Sequence, residues 1–115
     1  MEKVIEHEGK KLKFKATGAT PIFYKDKFGG DLLVDLQKVT NNFKDSDTMP
    51  PDVLEKFGRI AYIMNKQGDP EQPDDFIEWL DQFEMFSIIE ILPQVLELWG
   101  MNAATTSKPK KEGAR

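Results

Sequence analysis

The stretch from Phe86 to Asn102, FSIIEILPQVLELWGMN, constrains this chain more than any other. Between Phe86 and Trp99 only Ser87, Glu90, Pro93, Gln94 and Glu97 are not large and apolar. Read as a helix, Glu90, Gln94 and Glu97 recur at i, i+4 and i+7 and form one narrow polar stripe, with apolar side chains over the rest of the circumference. Such a helix is either the buried centre of a domain or a contact surface for a partner. The rest of the chain is therefore expected to organise around it. Ile88, Leu92 and Val95 are expected in the core. Pro93 inside the helix removes the bond to the Ile89 carbonyl, which costs roughly 3 kcal/mol unless the helix kinks.

The preceding chain supplies the elements that would cover it. Leu12 and Phe14 alternate with Lys11, Lys13 and Lys15, the period of a half-buried strand, and Glu8-Gly9-Lys10 turns back towards Lys3–Ile5. A short N-terminal β-hairpin follows, one that must lean on helices because two strands alone are marginal. Thr20-Pro21 opens a first helix, with Thr20 as cap and Gly29-Gly30 as stop. Asp31 caps a second helix whose apolar stripe is Leu32, Leu33, Leu36, Val39 and Phe43. Pro50-Pro51-Asp52 starts a third, running to Gln67 and stopped by Gly68. Its residues Val53, Leu54, Phe57, Ile60, Ala61 and Met64 give the best amphipathic match in the chain. Tyr62 falls opposite that stripe and Ile63 on a flank. Gly58 sits mid-helix at a cost of about 1 kcal/mol against alanine, which close approach of a neighbouring helix would explain. Pro73 begins a fourth helix with Phe76, Ile77, Leu80 and Phe83 inward, Trp79 flanking, and Asp74, Asp75, Glu78 and Asp81 on the wet side. Ser87-Ile88-Ile89-Glu90 fits a capping box for the fifth, and Gly100 is its C-cap.

The expected fold is thus mainly α: a small helical domain of about five helices over residues 1–100, with a short N-terminal β-hairpin. Residues 101–115 form a disordered, flexible basic tail. The net charge is −4, and once the tail's +3 is set aside the first hundred residues carry −7. An acidic body repels phosphate, so no nucleic-acid partner is expected of it. No apolar run approaches the ~20 residues of a membrane span, and the opening MEKVIEHEGKK has no secretory h-region, so no membrane partner is expected either.

Catalytic, cofactor and metal readings find no support. There is no cysteine, and His7 is the single histidine, placed at the expected hairpin turn. An EF-hand register on Asp45 and Asp47 fails, with Met49 at position 5, Pro50 in place of the glycine and Lys56 in place of the bidentate glutamate. Gly29-Gly30 lacks the spacing of a phosphate-binding loop. The acids at 74–81 read as a solvated helix face. The chain is expected to be non-enzymatic, without cofactor. Among the aromatics, Tyr62, Trp79, Phe86 and Trp99 are the candidate partner-binding anchors, lying off the apolar stripes or at helix ends; tryptophan in particular is enriched at interface hot spots.

Several runs taken together resemble a known family. Ala19-Thr20-Pro21, Tyr24-Lys25 and Phe28-Gly29 are similar to the N-terminal motif of tail assembly chaperones of long-tailed bacteriophages, especially those of Gram-positive hosts. So are Arg59–Met64, Glu78-Trp79-Leu80, and Glu90–Pro93 with Leu98-Trp99-Gly100 followed by Thr105–Lys108. The similarity runs in order along nearly the whole chain. It implies a cytoplasmic factor of the bacterial host that coats the helical tape measure protein, keeps it soluble while the tail tube polymerises, and is absent from the mature virion. The tail tube protein and self-association are further partners compatible with that role. In many such phages a programmed frameshift also yields a longer form, and the lysine pair Lys110-Lys111 is compatible with an A-rich slippery site. A small structural or connector protein of the virion, or a helical DNA-binding regulator, are the competing expectations.

Overall fold

The fold was obtained as a computed structural model that describes residues 1–45, 50–84 and 87–99, with the backbone alone for residues 43–45. Two strands precede five helices: β1 (Glu2–His7), β2 (Lys10–Lys15), α1 (Thr20–Phe28), α2 (Leu32–Asp45), α3 (Pro51–Gly68), α4 (Phe76–Leu80) and α5 (Ser87–Leu98). The mainly α architecture with an N-terminal hairpin is as the sequence predicts. The tail over 101–115, expected to be disordered, and Gly100, expected as a cap, lie outside the described residues.

The strands pair antiparallel, with Ile5 opposite Leu12 and Lys3 opposite Phe14. Glu8 and Gly9 both take positive φ, 51° and 80°, the two-residue turn whose twist matches that of the strands it joins. Ile5, Leu12 and Phe14 are buried on the inner face. On the outer face Glu2 stands opposite Lys15 and Glu6 opposite Lys11, so opposite charges face each other across the ladder.

The organising element is α3, not α5. It packs against β2, α1, α2, α4 and α5, whereas α5 packs against β1 and α3. From Phe57 to Asn65 every residue of α3 except Arg59 is buried. The apolar circumference of α5 is consistent with its position, since Ile88, Ile91, Leu92, Val95, Leu96 and Leu98 are buried between hairpin and α3. Pro93 lies within the helix on its exposed side, with Glu90 and Glu97.

Local details depart from expectation in three places. The Thr20 hydroxyl does not cap α1; it accepts the Thr17 amide (2.8 Å) and donates to Gln67 Oε1 (2.6 Å), tying the hairpin exit to the end of α3. Leu33 leaves the α2 stripe and is exposed, while Leu32, Leu36 and Val39 are buried. The Ser87 hydroxyl donates to Glu8 of the hairpin turn (3.2 Å). Asp31 does cap α2, accepting the Leu33 and Val34 amides at 3.0 and 3.2 Å.

Two glycines let α3 approach its neighbours. A Cβ on Gly58 would meet Phe76 Cζ at 3.3 Å and Leu80 Cδ2 at 3.7 Å, so the mid-helix glycine is explained by the approach of α4. A Cβ on Gly68 would meet the Lys13 carbonyl oxygen at 2.6 Å, and that oxygen belongs to β2 backbone, which cannot rotate away. Gly68→Ala is therefore expected to lower unfolding free energy by about 1–3 kcal/mol despite alanine's better helix propensity, measured by urea denaturation.

Candidate functional site

The region where α3, α4 and the hairpin meet is held by one buried amide. Asn65, fully buried on α3, donates from Nδ2 to the Lys13 carbonyl of β2 (2.8 Å) and accepts the Trp79 indole N–H of α4 at Oδ1 (2.8 Å). Asp75 caps α4 by accepting the Glu78 amide (2.9 Å). Lys66 gathers the connection from α3 to α4, donating to the Pro70 and Gln72 carbonyls and pairing with Asp74 at 2.7 Å. The hydrogen bond from Lys66, and then its charge, hold the Asp74 carboxyl below its ordinary range.

Around this amide runs a chain of rings, Tyr24–Phe28–Phe76–Trp79–Phe83, with Tyr62 set against Phe28, Phe76 and Trp79. Successive centroids lie between 4.9 and 6.3 Å apart, and the Tyr62 contacts between 5.5 and 6.1 Å. Most are tilted or edge-to-face, the arrangement that the ring quadrupoles favour.

The four aromatic anchors fare differently. Trp79 does not flank α4: it is 0% exposed, and Ile77, expected inward, is 60% exposed in its place. Five residues make little more than one turn, and the indole is drawn inward by its hydrogen bond to Asn65. Tyr62 is also buried; its hydroxyl donates to the Pro73 carbonyl (2.7 Å), so the side of α3 opposite the stripe is covered by α1 and the α3–α4 connection. As exposed anchors Tyr62 and Trp79 are thus corrected to buried residues, Trp79 enclosed by its neighbours and Tyr62 showing only an edge to the hollow beside α1. Trp99 is half-buried, with its indole N–H directed at Met64 Sδ (3.1 Å). Phe86 lies outside the described residues.

The accessible apolar surface lies elsewhere. A groove of about 370 Å³ runs between α3 and α4 to the start of α5, lined by Leu54, Gly58, Phe76, Ile77, Leu80 and Phe83, with Ile88 at one end and Glu55 and Glu84 on the rim. The sequence places partner-shielding apolar surface on the third to fifth helices but reads Leu54, Phe76 and Leu80 as inward-facing. They are half-buried. A second hollow, about 450 Å³, is lined by Phe23, Tyr62, Ile63 and Pro70, but its lysines are engaged, Lys66 as above and Lys27 on the Asp74 carbonyl. A third, between α1 and α2, exposes Ile22 and Leu33. Among the described residues no group of three or more acidic or histidine side chains is placed to hold a metal, and no helix is long and apolar enough to cross a membrane.

A scan against protein-family models finds no match, and searches of curated proteins and of solved structures find none either.

Asn65→Leu strands the Lys13 carbonyl and the Trp79 N–H without partners and is expected to cost roughly 2–5 kcal/mol. In a double-mutant cycle with Trp79→Phe, part of that cost should vanish because the stranded indole donor is gone; strict additivity would show that the bond carries no coupling. Tyr24 is buried and donates to Asp35 Oδ2 (2.7 Å), and burial, followed by that bond and the Asp35 charge, raises its pKa well above the ordinary value. The unfolded chain therefore loses this proton near pH 10 while the folded chain keeps it, so stability falls as pH rises above about 10. Tyr24→Phe should flatten that alkaline slope in chemical denaturation at pH 9–11.

Proposed function

We propose that this chain is a non-enzymatic assembly chaperone of a long-tailed bacteriophage, one that binds the tape measure protein in the host cytoplasm and keeps it soluble during tail tube assembly. The reading rests on the resemblance along the chain. The observation that best supports it is the apolar groove that the described residues leave open between α3 and α4, on a body whose first hundred residues are strongly acidic. A chaperone of this kind needs an apolar contact to shield a partner's hydrophobic face and charge around it to keep the complex in solution. Trp79 and Tyr62 act here as the rigid floor behind the contact and not as the contact itself. Half-buried Trp99 marks the end of the described domain.

The test is co-expression with a long, helix-rich protein encoded beside it. The soluble yield of that protein should rise several-fold with the wild-type chain. Ile77→Gln, at an exposed position, should lose most of the gain while keeping the thermal midpoint within a few degrees. No gain with the wild-type chain, or recovery of this chain from purified virions, would overturn the reading.

A further inference from the structure

Building on that reading, we infer that the α3–α4 groove is a docking site for one amphipathic helix whose apolar face is flanked by lysine or arginine. Three observations carry it. The lining is apolar and arises from side chains of helices, with Leu54 and Gly58 on one wall and Phe76 and Leu80 on the other, each pair at i, i+4. An extended peptide would find no strand edge there to receive its backbone N–H and C=O groups, whereas a helix satisfies its own and offers side chains alone. The wall of α3 from Pro51 to Gly58 is about 10 Å long, which matches roughly two turns and anchors at i, i+3 or i+4, and i+7.

The third observation is charge. The charged residues that line the groove are Glu55 and Glu84, and the segment that supplies its α4 wall also exposes Glu78 and Asp81, whereas Asp74 lines the second hollow and is paired with Lys66. Three cations stand beside lining residues: Arg59 pairs with Glu55 at 2.7 Å and offsets its charge, Lys10 donates to the Gln82 carbonyl at 2.9 Å while lying 5.9 Å from the Phe83 ring, and half-buried Lys56 follows Glu55 on α3 without lining the groove. Among the described residues no lysine or arginine lines the groove. A helix with acidic flanks would meet like charge on the α4 side, so the rim selects the sign of the partner as the floor selects its shape. A second copy of this acidic chain would bring its own α4 acids against these, which disfavours face-to-face pairing at this site.

The experiment uses the full chain and two synthetic helical peptides of roughly 18 residues, one with leucine on one face and lysine on the other, one with glutamate in place of lysine. Fluorescence anisotropy at low and at physiological salt is expected to give micromolar binding of the leucine/lysine peptide and at least about tenfold weaker binding of the leucine/glutamate peptide. Ile77→Gln should weaken the first peptide about tenfold with an unchanged circular dichroism melt, whereas Ile22→Gln on the α1–α2 surface should leave it unaltered. Equal binding of both peptides, equal loss from Ile22→Gln and Ile77→Gln, or no binding would overturn the proposal. So would a dimer in sedimentation that Ile77→Gln dissociates, because a second copy would then be the occupant. If co-expression rescue survives Ile77→Gln, the groove assignment falls and the chaperone reading stands. If the peptides bind as described and no rescue occurs, the chaperone reading falls alone.

Discussion

The fold depends on a single carboxamide. Among the described residues Asn65 is the one side chain that bonds both to the hairpin and to α4, and it does so from inside a buried stretch of α3, where an unpaired polar group is costly. Apolar packing is non-directional and constrains the rotation of a short helix less sharply than a hydrogen bond does. The amide removes the remaining freedom. Its acceptor must meet the Trp79 N–H and its donor must meet one carbonyl of β2, so strand, central helix and short helix are fixed relative to one another by two bonds of 2.8 Å. Gly68 serves the same junction from the other side, since only a residue without Cβ lets the end of α3 lie against the Lys13 carbonyl.

A helix of five residues has almost no stability of its own, because nucleation is unfavourable and little propagation follows. α4 is kept by its surroundings: the Asp75 cap at its start, Lys66 gathering the connection before it, the Trp79 bond beneath it, and Gly58 giving Phe76 and Leu80 room against α3. None of these acts on Ile77, which is why that side chain stays exposed while its neighbours turn in.

Much of this was legible in the sequence, and the parts that were not share a cause. The hairpin, the five helices, the Asp31 cap and the reason for Gly58 follow from period, turn chemistry and the cost of glycine, all local properties. The errors at Trp79, Ile77 and Tyr62 come from carrying helical phase into places where tertiary contact decides. The apolar period of residues 76–83 was extended as if one helix ran through them, but the helix stops at Leu80 and the Trp79–Asn65 bond sets its rotation. Tyr62 lies off the best stripe of α3, and a stripe predicts exposure opposite only when a helix is covered on one side. α3 is covered on nearly all of it. The same fact displaced α5 from the centre: an apolar circumference signals burial, but not which of two buried helices the rest surrounds.

The groove also inherits its shape from that amide. A hydrophobic contact on a loosely held element loses part of its binding free energy to ordering the element, whereas walls already fixed by packing and hydrogen bonds lose little. Here one wall is the N-terminal half of the central helix and the other is a short helix locked to it through Trp79, with Phe76 stacked near that indole (18° between planes) and Phe83 edge-on at 4.9 Å. Rotation of α4 would expose Trp79 and bury Ile77, so the fold cannot cover its uncovered apolar wall without breaking the Asn65 bond. The exposure of Ile77 beside half-buried Phe76 and Leu80 is thus a consequence of how the domain is held together, and the acids that share the segment with them keep the surface hydrated between encounters.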